Sequence, residues 1–446
     1  MKGFFIYKGG IGMSERVIKI GMLGLGTVGT GVVKLLQQRR FRQKFFGIDY
    51  QLKTIAVANV NKPRKVDLSG IEMTSDAEAV IRDPEIDIII ETMGGYEPAY
   101  HLIAGALKNR KSVVTANKAL IATHGRELLT VAKENGVNLL FEASVGGGIP
   151  IIKGLEEGLV ANEIESISAI LNGTCNYILT RMHLEELDFE QALKEAQEKG
   201  FAEADPTLDI GGGDTAHKLT ILASIAAGGF VDFKDVYVEG ITAITKLDIQ
   251  FAKQFGYTIK LLATYRFMQE GVDLRVHPTL VPDNHQLSAV SYEMNAVFVK
   301  GDFVGDTMFY GPGAGERPTA SAIVGNVVDL SRDLLLNTTE ISGYSHQMID
   351  PDCSIKPIPI REIKNRFYLR LSTMDAPGVL AKIAGVLGEN GVSIASMVQL
   401  ESQGNDTYVP IVLLTHEASE DAMDKALQKI HKFDFLKEQS LRLRLF

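Results

Sequence analysis

Apolar positions along the chain fall into three textures. Residues 17–23 read VIKIGML, and a glycine-rich turn at Gly24 and an amphipathic stretch to residue 36 follow, which predicts strand, turn and helix. Apolar runs at 52–60, 86–90, 112–115 and 138–141 recur with room for crossover helices between them, the mark of a parallel sheet covered on both faces. Beyond residue 143 the pattern changes to a strand at 166–171 and helices at 189–199 and 215–227. Loop chemistry follows at 310–315 and a long helix at 318–336, and a proline-rich stretch at 351–359 reads as a linker. From residue 366 a compact order appears: strand 367–371, helix 378–389, strands 392–399 and 408–414, helix 420–431, strand 441–445. This βαββαβ order is ferredoxin-like, with Ser419 placed to cap its second helix.

The expected fold class is therefore α/β: a Rossmann-type doubly wound cofactor domain, a second, α+β domain of substrate type, and a ferredoxin-like C-terminal domain. The expected division is 1–143, with 1–13 an extension that folding does not need, then 144–310, a return segment 311–345 completing the first domain, a linker 346–365, and 366–446. A net charge of −9 argues against nucleic acid as a partner, and no apolar run approaches a membrane span. Only Cys175 and Cys353 are present, without metal-ligand spacing, and the N-terminus lacks the apolar segment of a leader, so a reducing cytoplasm is expected.

A pyrophosphate needs bare backbone N–H groups and the positive end of a helix, which Gly24, Gly26 and Gly29 can offer together with Leu25, Thr27 and Val28. A lone G-x-G-x-x-G is a weak signal, but this one follows a strand and opens a helix. After the second strand, Asn59 and the stretch to Lys65 contain no acid to hold ribose hydroxyls. Lys62, Arg64 and Lys65 either accommodate the 2′-phosphate of NADP or form a solvated basic loop, which leaves NAD open.

Residues 196–218 crowd Glu203, Asp205, Asp209 and Asp214 onto a loop punctuated by Pro206 and three glycines, with Lys218 one helical turn after Asp214. Such acids repel unless a cation sits among them: a substrate ammonium, Lys218 or a metal. The alternative is a polar surface loop in which Asp214 caps a helix.

This segment resembles the signature of homoserine dehydrogenases, D-P-x2-D-I-x-G-x-D-x3-K preceded by A-x3-G, and it ends at Lys218. Similar segments lie in family order: GLGTVG from Gly24, GGYEPA from Gly94, VVTANKALIATHG from Val113, FEASVGGGIPII from Phe141, LNGTCNYIL from Leu171 and GPGAGERPTASAIVGN from Gly311. The C-terminal unit, with Asp375-Ala376-Pro377-Gly378 at its first turn, resembles an ACT domain, an amino-acid sensor.

The resemblance implies NADP- or NAD-dependent interconversion of L-homoserine and L-aspartate 4-semialdehyde in threonine, methionine and isoleucine biosynthesis. It makes Lys218 the proton-transfer residue with Lys118 near the reacting oxygen, and leaves open which lysine moves the proton. It implies Glu203, Asp209, Asp214, Thr174 and Gly173 as substrate contacts. Thr92, Lys118, Gly315 and Glu316 join the glycine turn around the cofactor. It also implies a structural monovalent cation held by Glu142, Val145, Gly147 and Ile149, feedback by threonine through Asp375 and Gly378, and a homodimer or homotetramer. With no kinase-like stretch ahead of the first strand, an unfused enzyme is expected. Two other readings are another small amino-acid dehydrogenase of the same fold and a non-catalytic sensor; the intact Lys118, Glu203, Asp214 and Lys218 set argues against the second.

Overall fold

The computed structural model describes residues 16–38, 48–336, 349–399 and 407–446, and the expected extension at 1–13 lies outside them. They form two compact units, one of residues up to 148 with 315–347, the other of 149–314 with 348–446.

In the first unit, β1 (Arg16–Leu23), β2 (Ile48–Ala56), β3 (Glu72–Thr74), β4 (Ile88–Glu91), β5 (Ser112–Thr115) and β6 (Leu139–Leu140) pair in parallel in the order β3-β2-β1-β4-β5-β6. Ile18, Ile20 and Met22 of β1 and Ile88 and Ile90 of β4 are fully buried. One covering layer comes from α1 (Thr27–Leu36), through Val32 and Val33, and from the Glu316–Leu336 helix, through Ile323, Val324 and Val327. Because burial of each such side chain contributes ~1.5–3 kcal/mol, a shared core ties these distant segments together. The two helices touch at Gly31, where a Cβ would lie 2.4 Å from the Glu316 carbonyl oxygen.

The second strand ends at Ala56, not residue 60. The apolar residues after it, Val57 and Ala58, line a cavity, and the Val57 N–H still donates to the Thr74 carbonyl oxygen at 2.9 Å. β3 has no apolar alternation to announce it, and its backbone pairs with Thr54–Ala56.

The second unit is built on a ten-stranded sheet. Strands Gly305–Pro312, Met294–Gly301, Ile164–Ile170, Tyr257–Met268 and Gly271–Pro282 run in that spatial order. The sheet continues through Leu441–Leu445, Phe367–Met374, Tyr408–Thr415 and Ile394–Gln399, the ferredoxin-like order 4-1-3-2, and the short tenth strand Tyr237–Val238 pairs in parallel with Gly271–Pro282 off this path. Helices Val379–Glu389 and Glu420–Ile430 close that subdomain over Leu369, Leu371, Ile411 and Leu413, and Ser419 caps the second by accepting from the Ala422 N–H. The two halves of the sheet join where Thr279 and Leu280 pair in parallel with Arg444 and Leu445. The 346–365 stretch, expected as a linker, carries a strand, Asp350–Ile355, that pairs with Gly229–Val231.

Candidate functional site

The glycine turn joins β1 to α1 at the switch point of the sheet, where β2 lies on one side of β1 and β4 on the other. Its three glycines answer to three constraints. Gly24 has φ +95, and a Cβ there would lie 2.9 Å from the Thr92 carbonyl oxygen; a Cβ on Gly29 would lie 2.8 Å from the Gly24 carbonyl oxygen. Gly26 has open space where its Cβ would be. It caps α1 without a side-chain bond, and no acid stands in the first turn, so the first N–H groups remain for an anion. A dinucleotide fits this cradle. Leu25 is buried, Thr27 exposed and Val28 half-buried.

A cavity of about 610 Å³ opens beside the turn, lined among others by Gly24, Leu25, Gly26, Asn59, Arg64 and Thr92. Arg64 donates to the Leu25 carbonyl oxygen at 2.7 Å and to that of Asn59 at 3.2 Å, and its Nε is buried without a hydrogen-bond partner. Among the described residues no carboxylate lines the cavity, and Lys62 does. Thr92 donates to the Gly24 carbonyl oxygen at 3.1 Å. Gly315 has φ +117. Glu316 lies outside this lining and pairs with Lys34 of α1 at 2.7 Å. Lys118 opens the Lys118–Glu134 helix, capped by Asn117, which accepts from the Leu120 N–H.

The loop after β6 buries Glu142, Val145 and Gly147, with Gly146 at φ +70 and Gly147 at φ +54. The Glu142 N–H donates to Asn326 Oδ1 at 3.0 Å. Among the described residues no group of three or more His, Cys, Asp or Glu side chains is set to hold a metal. A cation in this loop would take carbonyl oxygens and the Glu142 carboxylate. Ile149, buried, belongs to the second unit.

In the second unit the acids and the lysine meet. Lys218 Nζ, on the Gly213–Ala227 helix, donates to Asp214 Oδ2 and to the Leu171 carbonyl oxygen, each at 2.7 Å. Asn172 caps the Gly173–Glu185 helix, accepting from the Cys175 N–H, and its amide donates to Asp209 Oδ1 at 2.7 Å and Asp214 Oδ2 at 2.9 Å. Two carboxylates and one ammonium share this cluster, an acidic setting of the kind a substrate ammonium suits. The helix is capped by Gly212 at φ +87, so Asp214 lies in the first turn and is not the cap. Thr174 donates to the Phe201 carbonyl oxygen at 2.6 Å and stands 3.4 Å from Asp209 Oδ2. Gly173 is a close-packing position, where a Cβ would lie 2.7 Å from the Glu293 carbonyl oxygen. Glu203 is exposed, and no hydrogen bond or ion pair among the described residues joins its carboxylate to the cluster. His217 stacks on Phe233 at 4.2 Å, and burial, then Asp209 and Asp214, push the Cys175 thiol far up.

Asn172 is a site residue that the sequence reading does not name; its signal is its place ahead of a helix. The loop between Asp209 and Asp214 is backed by Gly240, whose Cβ would lie 2.3 Å from the Ile210 carbonyl oxygen, and the Ile241 N–H donates to that oxygen at 2.9 Å. Glu239, next to it, is held by Arg444 from the last strand at 2.7 Å. In the C-terminal subdomain Asp375 is exposed, and Gly378 caps Val379–Glu389 at φ +88.

Comparison with known proteins gives three family matches: "Homoserine dehydrogenase, NAD binding domain" over 24–142, "Homoserine dehydrogenase" over 150–328 and "ACT domain" over 367–432. A homoserine dehydrogenase of Bacillus subtilis is 43% identical over 428 residues, covering 95% of this chain and 97% of that protein. The crystal structure of a homoserine dehydrogenase from Thiobacillus denitrificans superposes with a TM-score of 0.91 at 43% identity, covering 97% of this chain and 99% of that one. A hyperthermophilic archaeal homoserine dehydrogenase in complex with NADPH gives a TM-score of 0.61 at 25% identity, covering 71% of this chain and 98% of that one.

Proposed function

The chain belongs to the homoserine dehydrogenase family, which interconverts L-homoserine and L-aspartate 4-semialdehyde with a nicotinamide dinucleotide, and on that premise we propose how its residues divide the work. A bound dinucleotide supplies the hydride acceptor or donor. Gly24, Gly26 and the first turn of α1 hold its pyrophosphate. We read NADP as the preferred form, supported by Lys62 and Arg64 in a cavity lined, among the described residues, by no carboxylate and by the NADPH carried by the archaeal relative.

Lys218 holds and moves the proton. Two of its three N–H bonds are fixed on Asp214 and Leu171, and the third serves the reacting oxygen, giving its proton to the aldehyde oxygen as hydride reaches the aldehyde carbon. Asp209 and Asp214 draw the substrate ammonium, with Asn172 fixing the distance between them. Glu203 stands outside this cluster and serves, in this reading, at its mouth. Lys118 assists at the reacting oxygen. The Lys218–Asp214–Asn172–Asp209 constellation carries this reading.

The finer calls belong here too. The 142–149 loop binds a monovalent cation, supported by its buried carboxylate and inverted glycines. Threonine acts at the Asp375–Gly378 turn. The chain works as a homodimer or homotetramer, supported by Phe303, 89% exposed at the tip of the hairpin that ends one side of the larger sheet. No described helix is long and apolar enough to cross a membrane, and two free cysteines accord with a reducing cytoplasm.

The test is homoserine-dependent formation of reduced cofactor, followed by its absorbance, with NADP and NAD in turn. Turnover with NADP preferred, and a smaller preference in Arg64→Ala, are expected. No homoserine-dependent reduction with either cofactor refutes the function, and equal use of both refutes the cofactor preference.

A further inference from the structure

Glu91, the last residue of β4, is fully buried and has no place in the reaction as derived so far. Three donors converge on its carboxylate. The Met93 and Gly94 N–H groups reach Oε1 at 2.6 and 2.9 Å, and the Thr115 hydroxyl reaches Oε2 at 2.5 Å. Thr115 Oγ1 in turn accepts from the Asn117 N–H at 3.0 Å, and the Asn117 amide returns to the Gly95 carbonyl oxygen at 2.6 Å. The bonds form a closed ring that fastens the 93–95 loop after β4 to the 115–118 segment after β5. Donors on both oxygens suit the ionised carboxylate.

The ring's position gives it meaning. The crevice at the switch point has Asn59, Lys62 and Arg64 on the β2 side, where the adenosine half belongs. The other half of a dinucleotide then falls on the β4 and β5 side, over the ends of the strands that Glu91 joins. A nicotinamide ring is cationic when oxidised and neutral when reduced, so a buried negative charge beneath it favours the oxidised form. We propose that Glu91 is a positioning residue of the nicotinamide half of the site, and that its charge makes the oxidised cofactor bind more tightly, relative to the reduced one, than the fold alone would allow.

The inference rests only on the chain's binding a nicotinamide dinucleotide. If the wild type binds neither form, that premise has failed, and Glu91 is not what was tested. Dissociation constants of NADP⁺ and NADPH, measured by calorimetry on the full chain, give a readout separate from turnover. For unit charges within about 8–10 Å at an effective dielectric constant near 20, Glu91→Gln should raise the oxidised-to-reduced ratio of Kd by roughly tenfold. Thr115→Val keeps the charge but cuts the ring, so it should lower kcat several-fold with that ratio held, and Thr115→Ser should restore kcat. A ratio unmoved in folded Glu91→Gln, or moved equally by Thr115→Val, overturns the charge effect. Should Glu91→Gln not fold, the threonine pair decides the positioning role: equal kcat in Thr115→Val and Thr115→Ser overturns it.

Discussion

Arg444, one residue from the end of the last strand, is fully buried and holds two carboxylates at once. It donates to Glu420 at 2.6 and 3.0 Å and to Glu239 at 2.7 and 3.2 Å, and lies 5.1 Å from the centre of the Tyr237 ring. Arg444→Met removes the cation and leaves the acids. Breaking a buried pair from one side costs about 3–5 kcal/mol. Here Glu420 keeps Asn365 at 2.7 Å and Arg442 at 3.4 Å, and the Glu239 side chain is 28% exposed, so the lower end applies, about 3 kcal/mol. The chain has no tryptophan, so urea unfolding is best followed by far-ultraviolet circular dichroism. Glu239 precedes the glycine that backs Ile210, so the homoserine KM should rise several-fold with a smaller change in kcat. Adding Glu420→Gln should return about 1 kcal/mol or more, because it removes one stranded charge. An Arg444→Met variant within 1 kcal/mol of wild type, with unchanged KM, would refute the idea that this strand supports the substrate loop.

Lys260 is buried with the Asn176 side-chain oxygen at 3.1 Å and the Val290 carbonyl at 2.5 Å as its hydrogen-bond acceptors, and desolvation lowers its pKa to about 8. With the unfolded value near 10.4, the unfolded chain binds more protons between the two, so stability should climb from about pH 8 towards pH 10, by up to about 3 kcal/mol. Lys260→Met should flatten that climb in urea titrations, and an identical slope in both proteins would show that the lysine is not responsible. Saturating threonine should raise KM or lower kcat in the wild type and do neither in Asp375→Ala; a wild type indifferent to threonine removes the effector.

The parts of the fold legible in the sequence were those whose periodicity is clean. The βαββαβ order at the C-terminus appears because one face of its sheet is covered by helices, and Leu441–Leu445 was read at its observed bounds. The long hairpin of Tyr257–Met268 and Gly271–Pro282 leaves no mark in the sequence pattern. Its residues are buried in unbroken runs that include Lys260, Asp273, Arg275 and His277, so neither alternation nor an apolar run marks it. At the site, the acids and Lys218 were visible as a dense motif. Asn172 and Glu91 were not, since one stands ahead of a helix and the other looks like the polar end of an apolar strand; the partners that give them meaning, Asp209 and Asp214 for the first and Thr115 for the second, come from other elements. The joining of the C-terminal subdomain to the catalytic sheet was hidden for the same reason, resting on a two-residue ladder, the contacts of Arg444 and the bonds of Tyr368 and Arg370 to Asp248.

The central claim is that Lys218, pinned by Asp214 and Leu171, transfers the proton. The most direct measurement is single-turnover hydride transfer in Lys218→Met with the dinucleotide Kd taken on the same sample. The account predicts a rate lowered at least about 10²-fold with cofactor affinity near that of the wild type. Hydride transfer within a few-fold of wild type in that variant would contradict it and move the proton to another group.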